Sequence, residues 1–587
     1  LSKITPEEFF NNDEVKVDIF KAKYAKSGES VDECFNRIAS EISNSLYNDE
    51  KERDYWTERW TQELLDDKWR PGGSITASTN NPEKHISNFN CTADIIEEDS
   101  LESIFEVFYN CGKIAAYRQG VGVDFSNTRP KGSFINNAAE VSEGAINWMK
   151  LYDNLGKTVG QRGRIPAILF SLKVTHPDIE EFISCKDDIN VINNANISVQ
   201  ITDDFMEAVT DDTDWTMSFQ IEDGDLIEKT IKARKLMRMI AEHSHATAEP
   251  GVQFIDLMKQ YSILEAMGYP IVATNACSEA PLPKNGVCLL SSINVGKVPA
   301  IDDEDFNDYI KETAYSLIRF LDNVAQYELN NTHKSPLMAQ YKSVEDLRQV
   351  GIGVTNLHAW VYKQGFGYDS DEGVDAIEYF FRVLFYWAFT ASLDLAKERG
   401  ACPAWQKISN HEEMETKFLT RFFDEFPELR DEYRSTGLRN SSLLSVAPTG
   451  SLSLTFSDDI LSTGIEPLIG RYYWQKTRAL SKGNYYDYYF RIPETVKKLV
   501  LEAIDDHIDI YGSANVAVEI EHKRIISEFP GSVLDNNGKV GKELISIIDL
   551  YIKPEQLRTA YEIDPFKKVD MMSRVQKYVD AAISVTI

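Results

Sequence analysis

The chain has 587 residues, 43% hydrophobic and 26% charged, which is ample material for a packed core and carries no signature of disorder. Acidic side chains outnumber basic ones 93 to 62, a net charge of −31, and that balance argues against general affinity for nucleic-acid phosphates or anionic membrane surfaces. No run approaches the roughly 18 consecutive apolar residues of a membrane span, and the start Leu1-Ser2-Lys3-Ile4-Thr5-Pro6 has no charged-then-apolar leader, so the chain reads as cytoplasmic.

Residues 1–70 are polar and helical in pattern, with Phe9, Phe10, Phe20, Tyr24, Phe35, Ile38, Ile42 and Leu46 set among charged faces. Trp56, Trp60, Leu64, Leu65 and Trp69 follow at three-to-four spacing, which predicts an amphipathic helix packed on something larger. Arg70-Pro71-Gly72-Gly73-Ser74 breaks that pattern. Short β-like runs then appear at 121–125, 167–172 and 197–201, and long helical patterns at about 229–248, 305–330 and 374–399. This alternation predicts an α/β architecture. No linker divides residues 71–587, so one catalytic domain behind a helical N-terminal layer is expected.

Seven cysteines, with no C-x-x-C pair, exclude a zinc ribbon, a thioredoxin motif and a disulfide framework. The informative stretch is Thr274-Asn275-Ala276-Cys277-Ser278-Glu279-Ala280-Pro281. Alternate residues of an extended backbone share a side, so Asn275, Cys277 and Glu279 are expected on one face, a thiol between an amide and a carboxylate able to act as base. Cys288 lies eleven residues on, and Cys91 far upstream in Ser87-Asn88-Phe89-Asn90-Cys91. Any one of these cysteines alone reads as a small buried residue, but that reading leaves the Asn-x-Cys-x-Glu spacing unexplained. Independently, Pro448-Thr449-Gly450-Ser451-Leu452-Ser453 offers hydroxyls and open backbone N–H groups of the kind that cradle an anion, or else an ordinary turn. Ser87 and Asn90 could donate to the same ligand, or simply serve turn chemistry.

These residues together resemble the catalytic set of a ribonucleotide reductase large chain. The resemblance extends in family order from about residue 69 to the end. It takes in Arg118-Gln119-Gly120-Val121-Gly122-Val123-Asp124-Phe125-Ser126 with Arg129-Pro130-Lys131-Gly132, His176-Pro177-Asp178-Ile179-Glu180-Glu181-Phe182, the 447–453 loop, and Thr463-Gly464-Ile465-Glu466-Pro467. It implies a ten-stranded α/β barrel of the type shared with glycyl radical enzymes, with Cys277 on a central loop. On the same resemblance Cys277 becomes a thiyl radical that takes the ribose 3′-hydrogen, Glu279 takes the 3′-hydroxyl proton and Asn275 holds the ribose hydroxyls. Cys91 and Cys288 supply two electrons and form a disulfide, which a thioredoxin-like or small-molecule dithiol reduces. Ser87, Asn90 and the loop Pro448–Ser453 hold the substrate.

Gly156-Lys157-Thr158-Val159-Gly160-Gln161-Arg162-Gly163-Arg164-Ile165-Pro166 occupies the place of the loop that couples a bound deoxynucleoside triphosphate effector to base choice, with Asp153, Gln161 and Arg164 as the implied effector residues. Here the usual double glycine and Arg-Arg-Gly are replaced by a shorter Arg-Gly-Arg-Ile-Pro. A homodimer is implied, and the 55–70 residues before the break are too few for an ATP-cone. Tyr472–Leu480 and Val575–Ser584 resemble class II, adenosylcobalamin-dependent chains more than class I chains, which need a metal-radical subunit. The pattern at Ser584-Val585-Thr586-Ile587 is expected to continue into further strands and a cysteine tail. A non-catalytic nucleotide-binding scaffold is the rival from another class. Three signals carry less weight: His243-Ser244-His245 reads as helix surface rather than metal ligands, Tyr485-Tyr486 and Tyr488-Tyr489 as packing aromatics, and Cys34, Cys111, Cys185 and Cys402 as structural.

Overall fold

Short β-branched runs form strands and long amphipathic runs form helices, in the order the periodicities imply. The computed structural model describes residues 3–586 other than 84–85, 136–137, 160–165, 189, 223, 333–335, 479–485, 512–515 and 553–556. The strands that build the site are β1 (Trp69–Pro71), β2 (Cys91–Ile95), β3 (Gly120–Asp124), β4 (Ile168–Lys173), β5 (Ala195–Ile201), β6 (Gly251–Phe254), β7 (Ile271–Thr274), β8 (Pro281–Pro283), β9 (Val287–Asn294) and β10 (Val350–Thr355). The helices around them include α1 (Val31–Asn44), α2 (Glu50–Leu65), α3 (Leu101–Ala116), α4 (Ala145–Thr158), α5 (Ala233–Thr247), α6 (Phe306–Asn330) and α7 (Asp371–Arg399). The helical pattern read from residue 229 begins late, because residues 229–232 finish a β-ribbon of Asp214–Gln220 against Leu226–Lys232.

Strands β2 to β6 run parallel as successive neighbours, and β9 and β10 form a second parallel group. The groups meet antiparallel where β9 lies beside β2, with β1 on the same edge of β9. Past β10 the second group continues through parallel bridges at Ile352–Leu444 and Val446–Ile583. This is an α/β fold built on one curled mixed sheet. Alternation sorts its two faces. Phe125 and Phe170 face the helices, packing with Tyr152 of α4 at ring distances of 5.1 and 6.4 Å, while Gly120, Gly122 and Asp124 face inward.

The N-terminal layer packs through α2 onto α6, with Trp60 5.2 Å from Phe320 and the Ser316 hydroxyl donating to Glu63 at 2.5 Å. Trp69, read from spacing as the last residue of the amphipathic stripe, is instead the first residue of β1, because Lys68 and Asp67 bond back to Glu63 and Leu64 and end the helix. It still packs on Phe320, at 4.9 Å. Buried Asp322 of α6 receives Arg348, Arg399 and Arg439 at 2.5, 2.9 and 3.1 Å, tying α6 and α7 to the start of β10. A second core lies under a small antiparallel sheet of Tyr473–Arg478, Tyr486–Arg491 and Ser532–Leu534 with helices Glu494–Tyr511 and Lys539–Tyr551. Phe490 is buried in that core, whereas Tyr489 on the same strand turns into the main core and donates to Asp18 at 2.6 Å.

Strands β7 and β8 form an antiparallel hairpin that lies along the inner face of β2 and β3. The approach is at backbone distance. A Cβ on Gly122 would overlap the Thr274 carbonyl oxygen, and one on Gly120 would meet Cys91 Sγ at 3.1 Å and Ala276 Cβ at 3.2 Å. Gly122→Ala is therefore expected to destabilise the protein by about 3 kcal/mol or more, by overpacking against backbone that cannot yield. Gly120→Ala should cost less, since the nearest neighbours of its Cβ, Cys91 Sγ, Ala276 Cβ and Ala167 O, stand at 3.1–3.2 Å, whereas Thr274 O overlaps a Cβ on Gly122 outright. Urea midpoints of the two variants check the ranking; equal midpoints would contradict it.

Candidate active site

The hairpin carries the Asn-x-Cys-x-Glu motif, and its backbone departs from the expected extended run. Asn275 and Ala280 close the loop through a 3.0 Å bond from Asn275 N to Ala280 O, the Ser278 N–H donates to Asn275 O at 3.1 Å, and Ser278 takes a left-handed φ of 67°. The motif residues are thus joined by a turn instead of by strand alternation. Asn275 Nδ2 donates to Glu279 Oε1 at 2.8 Å, and Asn275 Oδ1 accepts from Ala280 N at 3.1 Å. Cys277 sits at the tip, half-buried, whereas the other six cysteines are buried.

Glu279 is 1% exposed, and its Oε2 has no hydrogen-bond partner among the described residues. Desolvation lifts its carboxyl to about 7, against the hydrogen bond from Asn275, which lowers it. Its main-chain oxygen accepts from Ser445 Oγ at 2.8 Å and from Ala582 N at 3.0 Å. The hairpin root is thereby tied to the second strand group as well as to β2 and β3.

Cys91 and Cys288 are opposite each other in the antiparallel pairing of β2 and β9. Directly opposed residues in such a pair have Cα atoms about 4.5–5.5 Å apart, inside the range that a disulfide spans. None of the seven cysteines is joined in a disulfide in this structure. Burial pushes the Cys288 thiol well above its ordinary range, with the Glu279 and Cys91 charges adding to it, so Cys288 carries its proton at neutral pH.

A cavity of about 640 Å³ opens on Cys277 and Ser278 between β6 and residues 581–586, with Val252, Phe254, Met258 and Tyr261 in its walls. His245 also reaches that wall from α5, while His243 pairs with Asp187 at 2.7 Å. Among the described residues no group of three His, Cys, Asp or Glu side chains is placed to hold a metal ion.

The 447–453 loop follows the strand segment at Leu444–Val446. Pro448, Gly450 and Ser451 are exposed and Leu452 is half-buried. Thr449 is 7% exposed, and its hydroxyl accepts from Gly464 N at 2.8 Å and reaches Thr355 Oγ1 at 3.3 Å, so this side chain fixes the loop. Ser453 donates to Gly450 O at 2.8 Å. Ser87 is buried and accepts from Gln119 Nε2 at 2.9 Å. The Asn90 N–H donates to Cys288 O at 3.1 Å, and its side chain lies against Gly72 of the Pro-Gly-Gly break.

Asp153 is 1% exposed on α4, and its carboxylate accepts from Asn194 N at 2.8 Å and Ala195 N at 2.9 Å, which sets the start of β5. Gln161 and Arg164 lie outside the described residues. Thr274 opens the informative stretch but takes no role from sequence, and two further contributors, Ser445 and Gln253, lie outside every motif. Of these two, Gln253 left a trace, as a polar residue between Val252 and Phe254 in a short strand.

Residues 89–587 match the ribonucleotide reductase barrel domain. The chain belongs to that family. The vitamin B12-dependent ribonucleoside-diphosphate reductase of Thermoplasma acidophilum is 30% identical over 494 residues, 83% of this chain and 56% of that protein. An enzyme of the same name from Mycobacterium tuberculosis is 31% identical over 373 residues, 63% of this chain and 49% of that protein. The ribonucleoside-diphosphate reductase subunit alpha of Synechocystis is 27% identical over 454 residues, 69% and 55%. The chain spans about half the length of the curated relatives it matches. The matched span takes in Cys91, the hairpin, Cys288 and the 447–453 loop.

Because Glu279 binds its proton more tightly folded than unfolded, its ionisation opposes folding. That penalty is absent below its unfolded value near 4.5 and fully developed above about 7. Glu279→Gln keeps an acceptor for Asn275 and removes the charge. The variant should match the wild type in stability at pH 4.5 and exceed it at pH 8 by a margin of order 3 kcal/mol. Urea denaturation at the two pH values tests this, and a gap that stays constant with pH would refute it.

Proposed function

We propose that this chain reduces ribonucleoside di- or triphosphates to 2′-deoxyribonucleotides by radical chemistry at Cys277, on a barrel of ten strands. The observation that carries the reading is one arrangement. A desolvated carboxylate with an open oxygen, Glu279, shares a hairpin with the only half-buried cysteine, Cys277, beside the cross-strand pair Cys91 and Cys288. A non-catalytic scaffold would have no use for a base held near neutrality inside the sheet.

In this reading the Cys277 thiyl radical removes the ribose 3′-hydrogen and later returns it. Glu279, half ionised near pH 7, takes the 3′-hydroxyl proton, and Asn275 orients the ribose hydroxyls. The 2′-hydroxyl leaves as water with a proton from the thiol pair. Cys91 and Cys288 give up two electrons and close a disulfide, which an external dithiol reopens by exchange. The exposed backbone of Gly450 and Ser451 would meet the substrate phosphates on the frame that Thr449 fixes, with Ser87, Asn90, Pro448, Leu452 and Ser453 completing the site.

The radical source we propose is adenosylcobalamin. The cavity opens directly on the Cys277 thiol, so a ligand reaching into it would meet that thiol, and Val252, Phe254, Met258 and Tyr261 would hold the inserted part by apolar contact. When bound, the cofactor supplies the hydrogen-abstracting radical. A class I chain would need a metal-radical subunit and a relay instead, and the names of the Thermoplasma and Mycobacterium relatives support the cobalamin reading. We further propose a homodimer, built on the exposed stripe Leu101, Phe105 and Tyr109 of α3. A deoxynucleoside triphosphate effector would be read by the 157–166 loop through Gln161 and Arg164, with Asp153 anchoring it. No helix among the described residues is long and apolar enough to cross a membrane.

Full-length protein given adenosylcobalamin and dithiothreitol should form deoxynucleotide, while Cys277→Ser should form none. Cys91→Ser should block deoxynucleotide formation and leave hydrogen abstraction intact, visible as loss of tritium from 3′-labelled substrate. Activity only with an added metal-radical subunit would overturn the cofactor assignment. Nucleotide binding with no product under either condition would favour the scaffold.

A further inference from the structure

Gln253 lies on β6, 1% exposed, with its side chain on the inner face of the sheet. Its Nε2 donates to two hydroxyls, Thr274 Oγ1 at 2.8 Å and Ser278 Oγ at 3.2 Å. Thr274 ends β7 on one side of Cys277 and Ser278 follows Cys277 directly on the other, and their hydroxyls are themselves 3.3 Å apart. The Gln253 Oε1 is buried with no hydrogen-bond partner among the described residues, so the two hydroxyls alone orient the amide. Burying an unsatisfied amide oxygen is unfavourable, and an apolar residue at this place would avoid it.

Ser278 has a φ of 67°, in the left-handed region that a side chain disfavours by about 1–2 kcal/mol. This strained residue follows Cys277 directly and lines the same cavity. A relaxation of Ser278 toward negative φ would swing the Cys277 peptide away from its present place. What holds the strained turn is its own hydrogen bond to Asn275 O and the grip of Gln253 on Thr274 and Ser278. Gln253 stands in a belt of buried polar side chains that also reaches the hairpin. Gln200, its register partner on β5, donates to Val272 O of the hairpin at 3.4 Å and to Ser171 Oγ at 3.1 Å, and Ser171 donates to Asp124 at 2.9 Å. A row of buried polar side chains thus crosses β3, β4, β5 and β6 and ends on Thr274 and Ser278, on either side of Cys277.

We infer that Gln253 is a positioning residue, an amide clamp on Thr274 and Ser278 that keeps Ser278 in its left-handed conformation and so aims the Cys277 thiol into the cavity. The consequence for turnover rests on the radical reading of Cys277; the clamp itself does not.

The clamp makes a prediction that a merely structural glutamine would not. Gln253→Ala should lower kcat on the order of 10- to 100-fold, as expected for a reacting group displaced by a fraction of an ångström to an ångström, with KM for the ribonucleotide within about twofold. Glycine adopts positive φ without help, so adding Ser278→Gly should return kcat to within about threefold of the wild type. The independent readout is the rate at which iodoacetamide alkylates Cys277, followed by peptide mass spectrometry, since the other six cysteines are buried. Gln253→Ala should change that rate severalfold, and Gln253→Ala/Ser278→Gly should restore it. If kcat and the alkylation rate are both unmoved in Gln253→Ala, or if both move and the added glycine restores neither, the clamp is wrong. If wild-type protein proves inactive with every radical source while the alkylation pattern follows the prediction, the radical reading fails and the clamp stands.

Discussion

The hairpin at β7 and β8 runs along the inner face of the sheet at backbone contact, and the rest of the site follows from that approach. It requires residue 122 to have no side chain, because Thr274 O occupies the space a Cβ would take. Once the hairpin is inside, its loop is surrounded by both strand groups, with Ser445 and Ala582 holding Glu279 O from one side and Gln200 and Gln253 gripping Val272, Thr274 and Ser278 from the other. The carboxyl of Glu279 is desolvated as a result of its place, since burial alone outweighs the hydrogen bond it receives.

The structure buries carboxylates in two ways that have opposite chemical consequences. Asp322 meets three guanidinium groups, and their charges overcome burial to hold it well below the usual carboxylate range. It stays ionised and serves as a permanent tie between helices. Glu279 and Asp580 meet only neutral donors, an amide for one and the Leu443 and Leu444 N–H groups for the other, and burial raises them to about 7 and about 6. Only Glu279 among these keeps an oxygen without a partner among the described residues. Buried Asp94 on β2 shares that feature, with a carboxyl raised to about 6 and an oxygen without a partner among the described residues, so what sets Glu279 apart is its place on the hairpin that carries Cys277. The overall charge of −31 has no bearing on it, because the surface charges are screened by solvent and salt.

Sequence by itself determined a good deal. The alternation of β-branched and small residues marked β3, β4 and β5, the helical periods marked α6 and α7, and the Asn-x-Cys-x-Glu spacing singled out the residues at the centre of the hairpin. These are local properties, set by how neighbouring side chains share a strand face or a helix stripe. Helix ends and small added units were less legible. Trp69 kept the spacing of α2 after the backbone had turned into β1, and the small sheet at residues 473–534 left no pattern that separated it from the main domain.

Only the tertiary structure decided how the singled-out residues meet. The motif is a turn with a strained Ser278 where strand alternation predicted a shared face. The Thr449 hydroxyl holds its own loop, and the Asp153 carboxylate holds the start of β5. Cys91 and Cys288 are opposed by a cross-strand register between residues nearly two hundred positions apart, and Gln253 acquires a role only because β6 comes to lie under the hairpin. Register, close approach and desolvation are sums over segments distant in the chain, so no window of sequence contains them; a window contains only the residues on which they act.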